Sequence, residues 1–153
     1  MAEAHAITTS SFREKLEGLI EEMGPKRLEL SKEYVREFCE LTGHDYDEYR
    51  KRGDAPAGIL MSFTDPMISG LFVNFFVKYP GAIKGVVHST SKIDFLRPIS
   101  LSQTGFEEKL AVGDIREKSG KKGNYLVVNI EMTLYDNLKR KVAVDLHTFF
   151  VRV

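Results

Sequence analysis

The chain has 153 residues, 42% of them hydrophobic with ten Phe among them, and its 22 basic and 22 acidic residues cancel. That suits one compact domain with a sizeable core, and the interspersed charge excludes the basic stripe that nucleic-acid binding needs. Cys39 is the only cysteine, which excludes an internal disulfide and points to a reducing, cytoplasmic setting.

Residues 1–10 read as a disordered start, without the cationic-then-apolar pattern of a signal peptide. Residues 11–27 read as an extra helix and 28–153 as the single main domain. Ser11 and Glu14 have the spacing of a capping box. Leu16, Leu19, Ile20 and Met23 then repeat at helical spacing until Gly24-Pro25 stops the helix. A second helix starts at Ser31, carries Tyr34, Val35, Phe38, Leu41 and Thr42 on one side, and ends at Gly43. Cys39 lies beside that stripe and reads as a packed, inert thiol, because no base neighbours it in the sequence. TGHDYDEY, Thr42 to Tyr49, follows as a dense polar loop.

Asp54-Ala-Pro-Ala-Gly58 breaks the chain before a long apolar segment that runs to about Lys78 and ends before Pro80-Gly81. Pro66 predicts a kink or a restart within it. The segment approaches membrane-spanning length. Asp65, Gly70, Asn74 and the amphipathic strands that follow favour a buried helix instead, apolar all round because a sheet wraps it. Lys92 to Phe95 alternates as a strand closed by Arg97-Pro98, and Phe106 to Arg116 forms another, turning at Ser119 to Gly123. Leu126, Val128, Ile130, Met132 and Leu134 share one face against Asn129, Glu131 and Thr133. Asp136-Asn137 turns the chain into Val142, Val144 and Leu146, with Asp145 and His147 on the opposite, polar face. The predicted class is α+β: an antiparallel sheet of about five strands curled around one long apolar helix, the hotdog arrangement, preceded by short helices.

Three segments carry a family resemblance: Leu30 to Gly43, the Ala55-Pro-Ala-Gly-Ile-Leu-Met-Ser-Phe-Thr-Asp-Pro66 stretch, and Ile93-Asp-Phe-Leu-Arg-Pro-Ile99. In order and spacing, the chain from Leu28 to Val153 resembles the MaoC-like hotdog family of (R)-specific enoyl-thioester hydratases and 3-hydroxyacyl-thioester dehydratases, and looks nearest to its N-terminal-type modules. The resemblance implies an acyl-CoA or acyl-carrier-protein thioester as ligand, no cofactor and no metal. It also implies a homodimer, or a heteromer with a MaoC-like subunit that bears the catalytic dyad. The reaction implied is reversible hydration of a trans-2-enoyl thioester, which places the chain among lyases of fatty acid metabolism.

The chemistry of that family rests on Asp-x-Asn-Pro-x-His directly after the lead-in helix, a base paired with a carboxylate that shares the water. Laid on this chain after Gly43, the pattern puts His44 at the Asp position and Tyr49 at the His position. Slipped by one residue, it makes Asp45 the acid but leaves Arg50 where the base should be, and arginine cannot accept a proton. Neither register restores the dyad. The other half of such a site, backbone N–H groups that polarise the thioester carbonyl at a helix start, maps to Gly58 and Ile59.

Three readings of the loop stand: a solvated rim; a divergent catalytic pair of His44 with Asp45, Asp47 or Tyr49; or a subunit that binds the acyl group while a partner supplies Asp and His. A metal site of His44, Asp45 and Asp47 lacks ligand spacing. His88 and His147 read as structural or exposed strand residues. Arg97 suits either a carrier phosphate or a structural hydrogen bond. In the partner reading Met61, Phe63, Met67, Phe72 and Phe76 line an acyl tunnel. The rivals are a non-catalytic acyl-CoA-binding or assembly module whose first helix docks a larger protein, and a thioesterase relying on Asp65.

Overall fold

The computed structural model describes residues 7–153, the side chains of residues 63–65 excepted. Most of the expected disordered start therefore lies outside the described residues, as do the side chains of Phe63 and Asp65.

Helix α1 spans Thr9–Met23 and is capped by Thr8, whose hydroxyl accepts from the Ser11 N–H at 3.2 Å. The cap thus falls three residues before Ser11, because Thr8 holds extended backbone angles and captures the first orphan donor. Phe12, Leu16 and Leu19 form its buried face, with the Phe12 ring 5.0 Å from that of Phe75. Arg13 ties the outer side down by donating to the Gly113 carbonyl at 2.6 Å. The helix joins the chain's own core, which leaves the assembly-module rival without a free apolar face on α1.

Strand β1, Lys26–Glu29, was not expected from the sequence: it has four residues and buries only Leu28. Helix α2, Lys32–Thr42, runs between Ser31, which accepts from the Tyr34 N–H, and Gly43 at φ 74°. Both ends match the predicted caps. The polar loop is instead mostly helix α3, Tyr46–Arg52. It has no buried residue and so shows no apolar period. Asp45 caps its start, Asp47 and Glu48 fill the first turn and Arg50 to Arg52 the last, so charges of each sign meet the matching helix end.

Helix α4, Ile59–Lys78, continues unbroken through Pro66. Four long strands follow: β2 (Gly85–Phe95), β3 (Gly105–Gly120), β4 (Gly123–Asp136) and β5 (Lys141–Arg152). The five strands form one antiparallel sheet in the order β1-β3-β4-β5-β2, with a bulge in the edge strand β2 between His88 and Thr90. The sheet's inner face covers α4: Met67, Ile68, Leu71, Phe72 and Phe75 pack with Val128, Ile130, Met132, Phe149 and Val151. Ile59 and Leu60 pack with Leu134, Val142 and Ala143 in a second cluster. By length and hydropathy α4 would pass for a membrane span, yet its inward side is core.

One face assignment is corrected. Asp145 pairs with Met132 and His147 with Ile130 across β4 and β5, while Val144 and Leu146 pair with Thr133 and Glu131. Paired residues share a face. Asp145 and His147 therefore point inward, and both are fully buried.

The β4–β5 turn hangs on Asp136. Its Oδ1 accepts from the N–H groups of Leu138 and Arg140 at 2.9 and 3.0 Å, and its Oδ2 from Arg140 Nε at 2.8 Å. Burial pushes this carboxyl up, but those donors outweigh it and hold it below the ordinary aspartate value. A depressed folded-state pKa contributes stability that is fully present above the unfolded value and lost as pH falls through the folded one. Asp136→Ala should therefore cost about 1–3 kcal/mol at neutral pH. It should also flatten the decline of melting temperature below pH ~4, read by thermal unfolding across a pH series.

Candidate functional site

The chain entering α4 is stitched to the chain leaving β2. The Ala55 N–H donates to Ile99 O at 2.8 Å, the Leu101 N–H to Gly53 O at 2.9 Å, and Asp54 bridges Ser100. Between the two segments opens a cleft of about 470 Å³ lined by Tyr49, Arg52, Asp54, Ala55, Ala57 and Phe95 to Ile99. A second cleft of about 370 Å³ shares Arg52, Asp54, Arg97 and Pro98 with it and continues toward Asp136 and Arg140. Arg52 contacts Asp54 at 3.1 Å and lies over the Tyr49 ring at 4.4 Å. Arg140 is held by Asp136 at 2.8 Å. Arg97 lines both clefts and, among the described residues, makes no salt bridge.

The predicted loop residues occupy the flank of this cleft. His44 is exposed; its Nδ1 lies 2.7 Å from Thr42 Oγ1, and its ring sits between Phe38 at 6.2 Å and Tyr49 at 5.7 Å. Asp45 directs Oδ1 at the Asp47 N–H, 2.9 Å away, as the cap of α3. Tyr49 is half-buried and lines the cleft, whereas His44 and Asp45 are not among its lining residues. Cys39, behind them, is fully buried, and burial first, then the nearby Asp45 charge, pushes its thiol up. That environment makes it inert.

At the start of α4, Gly58 is exposed with φ −62° and carries no side-chain cap, while Ile59 is fully buried. The Ile59 N–H reaches Pro56 O at 3.1 Å and the Leu60 N–H reaches Ala57 O at 3.2 Å, a tight first turn. A Cβ at Gly58 would meet nothing nearer than Phe38 Cζ at 3.8 Å. Neither backbone angle nor internal packing requires a glycine here. Of the expected tunnel residues, Met67 and Phe72 are buried in the core, Met61 is half-buried and Phe76 is exposed.

A second constellation went unseen in the sequence. Asp145 Oδ2 lies 3.1 Å from His147 Nε2, at an angle too poor for a hydrogen bond, and Ser91 Oγ lies 2.9 Å from His147 Nδ1. His88 Nε2 stands 3.2 Å from the same Nδ1. Asp145 and His147 sit on the inner face between the two apolar clusters, Ser91 is half-buried and His88 exposed on the edge strand, and neither cleft touches the group. The available signal was the odd-numbered run Asp145, His147, Phe149, Val151, which the stronger-looking Val142, Val144, Leu146 set masked. Among the described residues no three His, Cys, Asp or Glu side chains are grouped to hold a metal ion.

No family model and no curated protein matches this chain. Solved structures do. The ChsH1-ChsH2 complex of Mycobacterium tuberculosis aligns over 94% of this chain and 92% of its own at 18% identity, with a TM-score of 0.65. The HadBC (3R-hydroxyacyl-ACP dehydratase) complex of the same organism aligns over 83% and 91% at 14% identity and 0.61. HtdX, also from Mycobacterium tuberculosis, aligns over 82% of this chain and 50% of its own at 19% identity and 0.59. With the sheet order and the wrapped helix, these likenesses define the chain as a hotdog-fold protein.

The buried pair at Asp145 and His147 has a measurable consequence. Removing one partner of a buried polar pair strands the other, at a cost of about 3–5 kcal/mol, whereas replacing both by apolar groups is often neutral. His147→Leu should lower stability by that amount, and Asp145→Leu with His147→Leu should recover most of it, measured by denaturant unfolding of the three proteins.

Proposed function

We propose that the chain is a MaoC-like subunit of an acyl-thioester hydratase or dehydratase, acting on a trans-2-enoyl thioester or its 3-hydroxy counterpart. It binds the thioester, while a dyad-bearing hotdog partner supplies the acid and base. The observation that carries this reading is the loop beside the cleft: Asp45 is occupied as the cap of α3, and the Nδ1 of His44 faces the Thr42 hydroxyl rather than a carboxylate. The cleft beside the start of α4 supplies room for a thioester, with Ala55 and Ala57 of the helix lead-in on its wall and the positive end of the helix nearby. Two of the similar structures are described as complexes, ChsH1-ChsH2 and the HadBC dehydratase. The unpaired edge of β2 is the surface on which a second hotdog chain would continue the sheet. In the cell the reading places the protein in the cytoplasm, in fatty acid metabolism.

The test is hydration of crotonyl-CoA and longer enoyl-CoA substrates by the purified chain alone and mixed with MaoC-like subunits that carry Asp-x-Asn-Pro-x-His. Activity in the mixture only is the expected result. Activity of the chain alone that vanishes in His44→Ala would instead establish a divergent site at His44, Asp45 and Tyr49. Thioester cleavage without hydration would overturn both. Within an active mixture, Gly58→Ala separates structure from binding. The free protein should keep or gain stability, about 0.4–1 kcal/mol, because nothing nearby obstructs a Cβ. Hydration should fall at least tenfold if the thioester lies against that backbone, as kcat/KM would record.

A further inference from the structure

The β3–β4 hairpin turns through Lys121 and Lys122, with Gly120 and Gly123 paired on either side. Gly123 has φ 108°, which a side chain would not tolerate. Gly120 makes room for a ring: a Cβ there would stand 3.2 Å from Tyr125 Cε1. Tyr125 in turn meets Phe150 edge-on at 5.7 Å. With Val87 these rings floor an open groove of about 550 Å³ on the outer side of the sheet. Phe150 and Val87 keep 41% and 63% of their surface exposed.

Lys84, Lys121, Lys122 and Arg152 rim the groove, and no acid lines it. Among the described residues Lys121, Lys122 and Arg152 have no Asp or Glu carboxylate at ion-pair distance. Lys84 donates to Val153 O at 2.8 Å. In a chain whose charges cancel, Lys121, Lys122 and Arg152 around an aromatic floor form a local field for an anion with a flat apolar body. We infer that this groove binds a nucleoside phosphate, the base lying on Tyr125 and Phe150 and the phosphates among the lysines and Arg152. Its volume falls in the range of small-molecule sites. The cations ring a concavity, a geometry that suits a compact ligand better than a flat lipid surface. The groove lies at the start of β2 and the end of β5, and the thioester cleft at the other end of β2, so the two share no lining residue. The inference is independent of the proposed reaction.

Isothermal titration calorimetry with ADP tests it, with adenosine, inorganic phosphate and anionic phospholipid vesicles as separate titrants. ADP should bind saturably and more tightly than either adenosine or phosphate, and less tightly as salt is raised. Lys121→Glu with Lys122→Glu, on an exposed corner, should weaken ADP at least about tenfold while leaving the melting temperature unchanged. Phe150→Ala should weaken ADP without altering any response to inorganic phosphate. No ADP binding, equal binding of inorganic phosphate, indifference to the lysine substitutions, or binding to vesicles alone would each overturn the assignment.

Discussion

A twenty-residue helix without a polar face must be enclosed, and enclosing α4 dictates the rest of the molecule. Fully burying a side chain such as Leu71 or Phe75 contributes about 1.5–3 kcal/mol, so the sheet gains most by curling around the helix rather than lying flat. One sheet cannot cover a cylinder completely. Helix α1 closes part of the remainder with Phe12, Leu16 and Leu19, and α2 seals the helix start with Val35 and Cys39. Val73 and Val77, on the side left over, stay exposed.

The same enclosure positions the cleft. Because α4 must enter the sheet at the end where Leu134, Val142 and Ala143 wait for Ile59 and Leu60, the chain before it runs alongside the exit of β2. The Ala55–Ile99 and Leu101–Gly53 hydrogen bonds follow from that crossing. The start of α4 is thereby held beside that cleft, with the Ile59 and Leu60 N–H groups turned back to Pro56 O and Ala57 O. The cleft is thus a by-product of the fold. Acid–base chemistry beside it would not be, because it depends on particular side chains in one short segment.

How far the sequence could be read follows from this division. Segments whose period reports burial were legible: the Tyr34, Val35 and Phe38 part of the α2 stripe (Leu41 and Thr42, read on the same side, are exposed), the unbroken apolar run of α4, and the alternation of β4. Elements held by something other than burial were not. Strand β1 contributes a single buried residue, Leu28, and α3 buries none, so neither leaves a hydrophobic period to detect. Strand β5 misled for a different reason. Its apolar residues occupy both faces, Val144 and Leu146 on one and Phe149 and Val151 on the other, while Val142, before the run regularises, packs inward. Only the register against β4 decides which face meets the helix.

That register gives the loop around His44 its meaning. Among the described residues His44 with Asp45 and His147 with Asp145 are two places where histidine stands near aspartate, and they are opposites. At Asp145 and His147 the groups are dry and close, yet neither cleft at the start of α4 reaches them. At His44 and Asp45 they are wet and beside a cleft, yet His44 Nδ1 is turned to the Thr42 hydroxyl and Asp45 Oδ1 to the Asp47 N–H. General acid–base work needs proximity and access together. The first pair lacks access and the second lacks the mutual geometry. Under the proposed function, a thioester in the cleft beside α4 would find its α-proton unattended by this chain, which is the chemical reason to look for a base on a second chain across the open edge of β2.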